Sequence, residues 1–164
     1  MIRKATVNDA SRIAEIQIFG WRNAYRGIID DKILFAKLNI EKKSQSLRKV
    51  LEEGTDEWYV FEEKEIVKGA MVAGKCRDAD KPEAFELWCL YVDPFMMRKG
   101  VGSQMLEYCE KMARDRGYKE NILWCLEKNG IGTGFYEKRG YRRDGKAQEI
   151  EHLKATEIRY RKEL

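Results

Sequence analysis

E-A-F-E-L-W-C-L-Y-V-D-P-F-M-M-R-K-G-V-G-S, Glu83 to Ser103, is the stretch whose reading decides the fold. Ala84 to Val92 is rich in aromatic, aliphatic and β-branched residues, as a buried strand requires. Asp93-Pro94 ends it, because proline has no N–H to give to a ladder. Beyond the turn, Val101, Met105, Leu106, Cys109, Met112 and Ala113 keep the spacing of an amphipathic helix, which therefore begins at or just before Gly100. The first N–H groups of a helix have no internal partner, and the dipole makes that end positive, so anions bind there. Gly100 and Gly102 leave the amides open, and Arg98 and Lys99 add charge. Alone, a G-x-G turn is equally a simple structural turn.

Outward from this unit the chain alternates in both directions. Ile2 to Ala5 reads as a strand, and Thr6 with Asp9 forms a relative of the capping box ahead of a helix over about 7–20. Phe19 to Gly27 holds two glycines and three large aromatics, which fit a helix, a break or a bend alike. Ile40 to Leu51 carries Ile40, Leu47, Val50 and Leu51 on one helical face, with Gly54 as the stop. Trp58 to Glu62 and Ile66 to Lys75 read as strands joined by a charged hairpin, and Arg77 to Glu83 as a loop. After the central helix stops at Gly117, Ile122 to Leu126 is a further strand. Asn129 to Tyr141 is glycine-rich, so any helix there is short and dependent on packing. The remainder supplies one or two closing strands. The order is β-α-α-β-β-β-α-β-α-β in one α/β domain spanning residues 1–164, with an α+β type of mixed sheet.

The composition narrows the function. With 43% hydrophobic and 37% charged residues, the chain is globular with a heavily charged surface. No apolar run approaches a membrane span, and the start of the chain shows no apolar leader, so a cytoplasmic protein without a membrane partner is expected. A net charge of +4 with basic residues scattered among acids argues against a nucleic-acid partner. Cys76, Cys89, Cys109 and Cys125 lie far apart with no C-x2-C pair, so buried free thiols are expected rather than a metal site.

L-Y-V-D-P-(x)4-K-G-V-G-S resembles motif A of the GNAT acyltransferase superfamily, Q/R-x-x-G-x-G/A after a strand, with Met97 at the usual Gln/Arg position. L-W-C-L-E-K-N-(x)5-F-Y-E-K-R-G-Y, from Leu123, is similar to the second GNAT signature, with Gly132 in place of a small alanine. W-R-x-A-Y-R-G-I at Trp21 and E-I-R-Y at Glu157 look like a common bacterial branch. The resemblance implies the GNAT fold, a mostly antiparallel sheet splayed between its fourth and fifth strands with helices on both faces. It also implies acetyl-CoA as acyl donor, no metal, an amine acceptor and often a homodimer. Its pyrophosphate would lie on the loop Met97, Arg98, Lys99, Gly100, Val101, Gly102 and Ser103, with Tyr91 and Val92 pairing the pantetheine arm. Asn129 would stand at the mouth of the groove, although as bare sequence it is equally a helix cap.

Acetyl transfer to an amine needs a neutral nucleophile, a donor to the carbonyl oxygen and a proton for the departing thiolate. Deprotonating an alkylamine at neutral pH costs roughly 4 to 5 kcal/mol. Glu86 stands at the offset of the general-base glutamate in the histone-acetylating branch. Strand alternation places Glu86, Trp88 and Leu90 on one face. Glu86 is equally a solvated carboxylate or a binder of a cationic acceptor. The resemblance assigns the carbonyl donor to the Leu90 N–H and the acid to Tyr136, for which a packing aromatic is the plain alternative. Trp21 and Tyr25 fall where the family builds its acceptor pocket, Arg142 and Arg143 are candidates for a 3′-phosphate, and His152 belongs to neither signature. The resulting expectation is an N-acetyltransferase acting through a ternary complex. The alternative is a non-catalytic acyl-CoA-binding module. A dinucleotide fingerprint would require glycine at Met105.

Overall fold

The computed structural model describes residues 1–164. Seven strands and four α-helices follow one another as β1 (Ile2–Lys4), α1 (Ala10–Ala24), α2 (Ile40–Glu53), β2 (Trp58–Glu63), β3 (Ile66–Lys75), β4 (Phe85–Val92), α3 (Val101–Asp115), β5 (Glu120–Leu126), α4 (Gly130–Glu137), β6 (Arg142–Ile150) and β7 (Ala155–Glu163). They form one sheet in the order β1-β2-β3-β4-β5-β7-β6. All pairs are antiparallel except β4 with β5. No helix is long and apolar enough to cross a membrane.

Two cores flank the sheet. On one face α1 and α2 bury Ile13, Ile16 and Leu47 against Val60, Ala70 and Val72. On the other, α3 and α4 bury Val101, Met105, Leu106 and Tyr136 against Met71, Phe85, Leu87, Leu123 and Tyr160. Helix α3 lies very close to the sheet. A Cβ on Gly69 of β3 would stand 2.7 Å from the Met105 sulfur and 3.1 Å from the Tyr91 carbonyl, so this contact needs glycine.

The sheet is splayed, as the resemblance implied. Strands β4 and β5 pair only at Phe85 with Asn121, Glu86 with Ile122 and Leu87 with Leu123. Beyond those pairs β4 keeps only β3 beside it, and β5 only β7.

Three expectations are corrected. Strand β6 adds a seventh strand to the predicted order, and β7 enters the sheet between β5 and β6. Most residues of β6 are exposed, so the strand carries no apolar alternation to announce it. Helix α1 follows a 3₁₀ turn at Val7–Asp9 and runs on through Gly20 to Ala24, the glycine facing the Tyr91 ring. The third correction is a bulge in β4: Val72 pairs Cys89 and Ala73 pairs Leu87, which leaves Trp88 unopposed. The extra residue flips the alternation. Trp88, Cys89 and Tyr91 face α1, whereas Leu90 and Val92 join Phe85 and Leu87 on the α3 face. Leu90 thus does not share a face with Glu86 and Trp88.

Candidate active site

The gap between β4 and β5 opens into one cavity of about 1080 Å³, bounded by α1, the turn before α3, α4 and the segment from Ile150 to Glu157. At one end stands the β4–α3 turn. Asp93 fixes it by accepting from the Phe95 amide at 2.8 Å and from Arg12 Nη2 at 2.5 Å, which ties the turn to α1. Arg98 (φ 61°) and Gly100 (φ 80°) are both left-handed. For an arginine that conformation is strained, and such strain gathers where a backbone is shaped for a ligand. Helix α3 then starts with the amides of Val101, Gly102 and Ser103 lacking any acceptor in the protein. A Cβ on Gly102 would point at Phe135 (3.3 Å) and Val92 (3.5 Å), into the groove.

Arg98, Lys138 and Arg139 line this end. Arg139 covers the Phe135 ring at 3.8 Å, donates to the Phe135 carbonyl at 3.0 Å and donates to the Ser103 hydroxyl, so it joins α4 to the start of α3. Free amides beside three cations fit the phosphates of an acetyl-CoA. Arg142 and Arg143, the sequence candidates for that charge, are not part of the cavity wall.

Midway along the gap lie Leu90, Tyr91 and Val92 on the unpaired edge of β4 and Tyr136 on α4. The Tyr136 ring packs edge-on against Phe135 at 5.1 Å and Tyr141 at 5.9 Å, yet its hydroxyl has no hydrogen-bond partner. Burial raises its pKa well above the phenol value, so the hydroxyl stays protonated at neutral pH. Asn129 caps α4, its side-chain oxygen accepting from the Gly132 amide at 3.1 Å. A Cβ on Gly132 would stand 2.6 Å from that side chain and 2.8 Å from the Cys125 sulfur, which explains glycine at the signature's small position.

The far end is aromatic. Trp21 and Tyr25 meet edge-on at 5.2 Å, and Trp21 Nε1 donates to the Tyr91 hydroxyl at 3.1 Å. Trp88 and Trp124 complete the wall, each held by an arginine: Arg77 lies 4.6 Å from the Trp88 ring centre, and Arg159 lies 5.6 Å from that of Trp124. Arg159 is anchored in turn by Asp78, Asp80 and Asp144, and Trp124 Nε1 donates to Asp78 at 3.0 Å. His152, Leu153 and Glu157 close this end.

Of the residues proposed from sequence, Glu86 and Lys99 lie outside the cavity along with Arg142 and Arg143. Glu86 is 1% exposed, and its carboxylate accepts from the Arg77 amide at 2.8 Å and from the Arg77 guanidinium at 2.5 Å. It therefore fixes Arg77 over Trp88 rather than facing the gap. Glu86→Gln is expected to lower folding stability by about 1 to 3 kcal/mol, because a buried charge-assisted pair is lost. The ratio of variant to parent turnover should stay level between about pH 6 and 9. A ratio that collapses at the acid end would restore Glu86 as the base.

Trp88, Trp124, Lys138, Arg139 and Glu157 were not among the sequence candidates. Trp88 required the bulge, and Trp124 and Glu157 required knowing that β7 lies beside β5. Lys138 and Arg139 were legible only as a basic run next to the second signature.

The chain matches the Acetyltransferase (GNAT) family over residues 12–141. It is 30% identical over 149 residues to a probable N-acetyltransferase of Mycobacterium tuberculosis, covering 88% of this chain and 81% of the relative. It is 25% identical to a spermidine N(1)-acetyltransferase of Thermoplasma acidophilum, covering 86% and 87%. Among solved structures, the PaiA N-acetyltransferase of Thermoplasma acidophilum in complex with coenzyme A superposes with a TM-score of 0.74 at 20% identity, covering 100% of this chain and 98% of that one. The YncA protein of Salmonella typhimurium, solved with acetyl-CoA, superposes with a TM-score of 0.70 at 16% identity, covering 100% and 93%. With both signatures on the elements that border the gap, the chain belongs to the GNAT family of acetyltransferases, enzymes that move an acetyl group from acetyl-CoA.

Proposed function

We propose that this acetyltransferase acts on a primary amine of a small molecule or protein, by direct attack while both substrates are bound. The observation that carries this reading is the single cavity that joins the unpartnered amides of Val101 to Ser103 to the aromatic end, with the free Tyr136 hydroxyl between them. Acetyl-CoA supplies a thioester, whose carbonyl carbon the amine attacks. The chain's part is to hold and to protonate. The α3 amides, with Arg98, Lys138 and Arg139, bind the phosphates. The β4 edge at Leu90 to Val92 lines the arm, the Leu90 N–H being the proposed donor to the thioester oxygen. Tyr136 Oη gives its proton to the departing sulfur, and the proton that the attacking nitrogen sheds restores the phenol. The N-acetyltransferase names of the relatives support nitrogen as the acceptor atom.

A covalent route through cysteine is the competing chemistry, since Cys89 and Cys125 line the same cavity. Burial pushes both thiols up to about 12, so almost no thiolate exists at neutral pH. Initial rates measured against both substrates should therefore give intersecting reciprocal plots. Cys125→Ala should turn over within a few-fold of the parent. Parallel plots, or a cysteine that carries acetyl after mixing with acetyl-CoA alone, would refute direct attack.

A further inference from the structure

The cavity's charge is divided. Arg98, Lys138 and Arg139 all stand at the end where α3 and α4 begin and end, and Glu157, at the aromatic end, is the only carboxylate in the wall. Glu157 lies on β7 between Leu126 of β5 and Gln148 of β6. Its one protein partner is a neutral amide, Gln148 Nε2, which donates to Oε1 at 2.6 Å. Oε2 has no donor, and no lysine or arginine pairs with the carboxylate. Its neighbours on β7, Arg159 and Arg161, are both committed to other acids. A half-buried carboxylate left without a cation beside aromatic rings is a receptor for one. Burial raises the Tyr25 phenol and the Cys125 thiol, and the negative charge of Glu157 adds to both shifts, which places the carboxylate near these two groups of the cavity wall.

The reacting amine must be neutral when it attacks, so a carboxylate that held that nitrogen as an ammonium would slow the reaction. We infer that Glu157 binds a second, non-reacting positive charge of the acceptor, and that the acceptor class is an amine carrying a further cationic centre across a short apolar spacer. Trp21, Tyr25, Trp88 and Trp124 would cover the spacer. Arg77 and Arg159, each fixed by buried acids on the outer side, keep the two tryptophans in place. This rests on the amine-acetyltransferase reading above.

Three acceptors of one length separate the two ideas: 1,4-diaminobutane, n-butylamine and 4-aminobutanoate, which end in a positive, a neutral and a negative group. In the parent, kcat/KM should fall by about ten- to a hundredfold from the first to the second, and further to the third. Glu157→Gln should flatten the series chiefly through KM for the diamine, and Glu157→Lys should invert it. Acetyl-CoA affinity and thermal midpoint, measured on each variant, guard against misfolding. Calorimetric binding of 1,4-diaminobutane to the coenzyme A-loaded protein supplies a readout without turnover. Binding that disappears in Glu157→Gln, with no amine acetylated, upholds the cation site and refutes the transfer reading. Turnover of all three amines in the same order by parent and Glu157→Gln overturns the cation site and leaves the transfer reading standing. No diamine binding and no turnover overturns both.

Discussion

Gly102→Glu is expected to abolish acetyl-CoA binding in a protein that still folds. The new side chain would leave the backbone toward Val92 and Phe135, into the groove beside the free amides of α3. An acid in the first turn of a helix is favourable to the helix itself, so α3 should form as before, with Phe135 shifting by a few tenths of an ångström. The carboxylate then occupies and neutralises the position that phosphates need. The calorimetric signal for acetyl-CoA should fall by at least about a hundredfold in affinity, the thermal midpoint changing little. A folded variant that binds as tightly as the parent would place the phosphates elsewhere.

The second large effect concerns Tyr136→Phe. The ring, packed against Phe135, Tyr141 and Tyr160, is retained, so a purely structural tyrosine predicts no change in turnover. As the proton donor, its loss should cost about a hundredfold or more in kcat while acetyl-CoA affinity stays within a few-fold. The hydroxyl engages no protein group that would be left unsatisfied, so stability should hold. Because burial holds this phenol above the usual value, kcat in the parent should show no descending limb from Tyr136 below about pH 10. An acyl donor with a less basic leaving thiol should rescue the variant more than the parent. A loss below about threefold would assign the proton to water.

The donor half of the cavity was legible in sequence because it is local. Strand, turn and helix start are contiguous from Phe85 to Ser103, and Asn129 to Tyr136 repeats the logic on the next crossover. Backbone amides do the binding there, so glycine spacing and helix periodicity suffice to find it. The acceptor half is built from five separate elements, and its chemistry depends on how they meet. A one-residue bulge moved Leu90 to the opposite face, which no periodic reading of A-F-E-L-W-C-L-Y-V could show. Glu86 looked like a base by offset alone. Its partner, Arg77, sits in a loop whose path the sequence does not reveal. Strand β6 is almost wholly exposed, and its position beyond β7 brings Gln148 to Glu157.

The incomplete pairing of β4 with β5 has a consequence for hydrogen exchange. Along Trp88 to Val92 and Trp124 to Leu126 each strand has a neighbour on one side only. In such a strand alternate amides are locked in a ladder while those between them point into open space. Deuterium should therefore enter these two segments with a two-residue rhythm, rapid and slow amides interleaved, although both lie in the middle of the sheet. On β4 that rhythm should slip by one residue at Trp88, where the bulge adds an unopposed position.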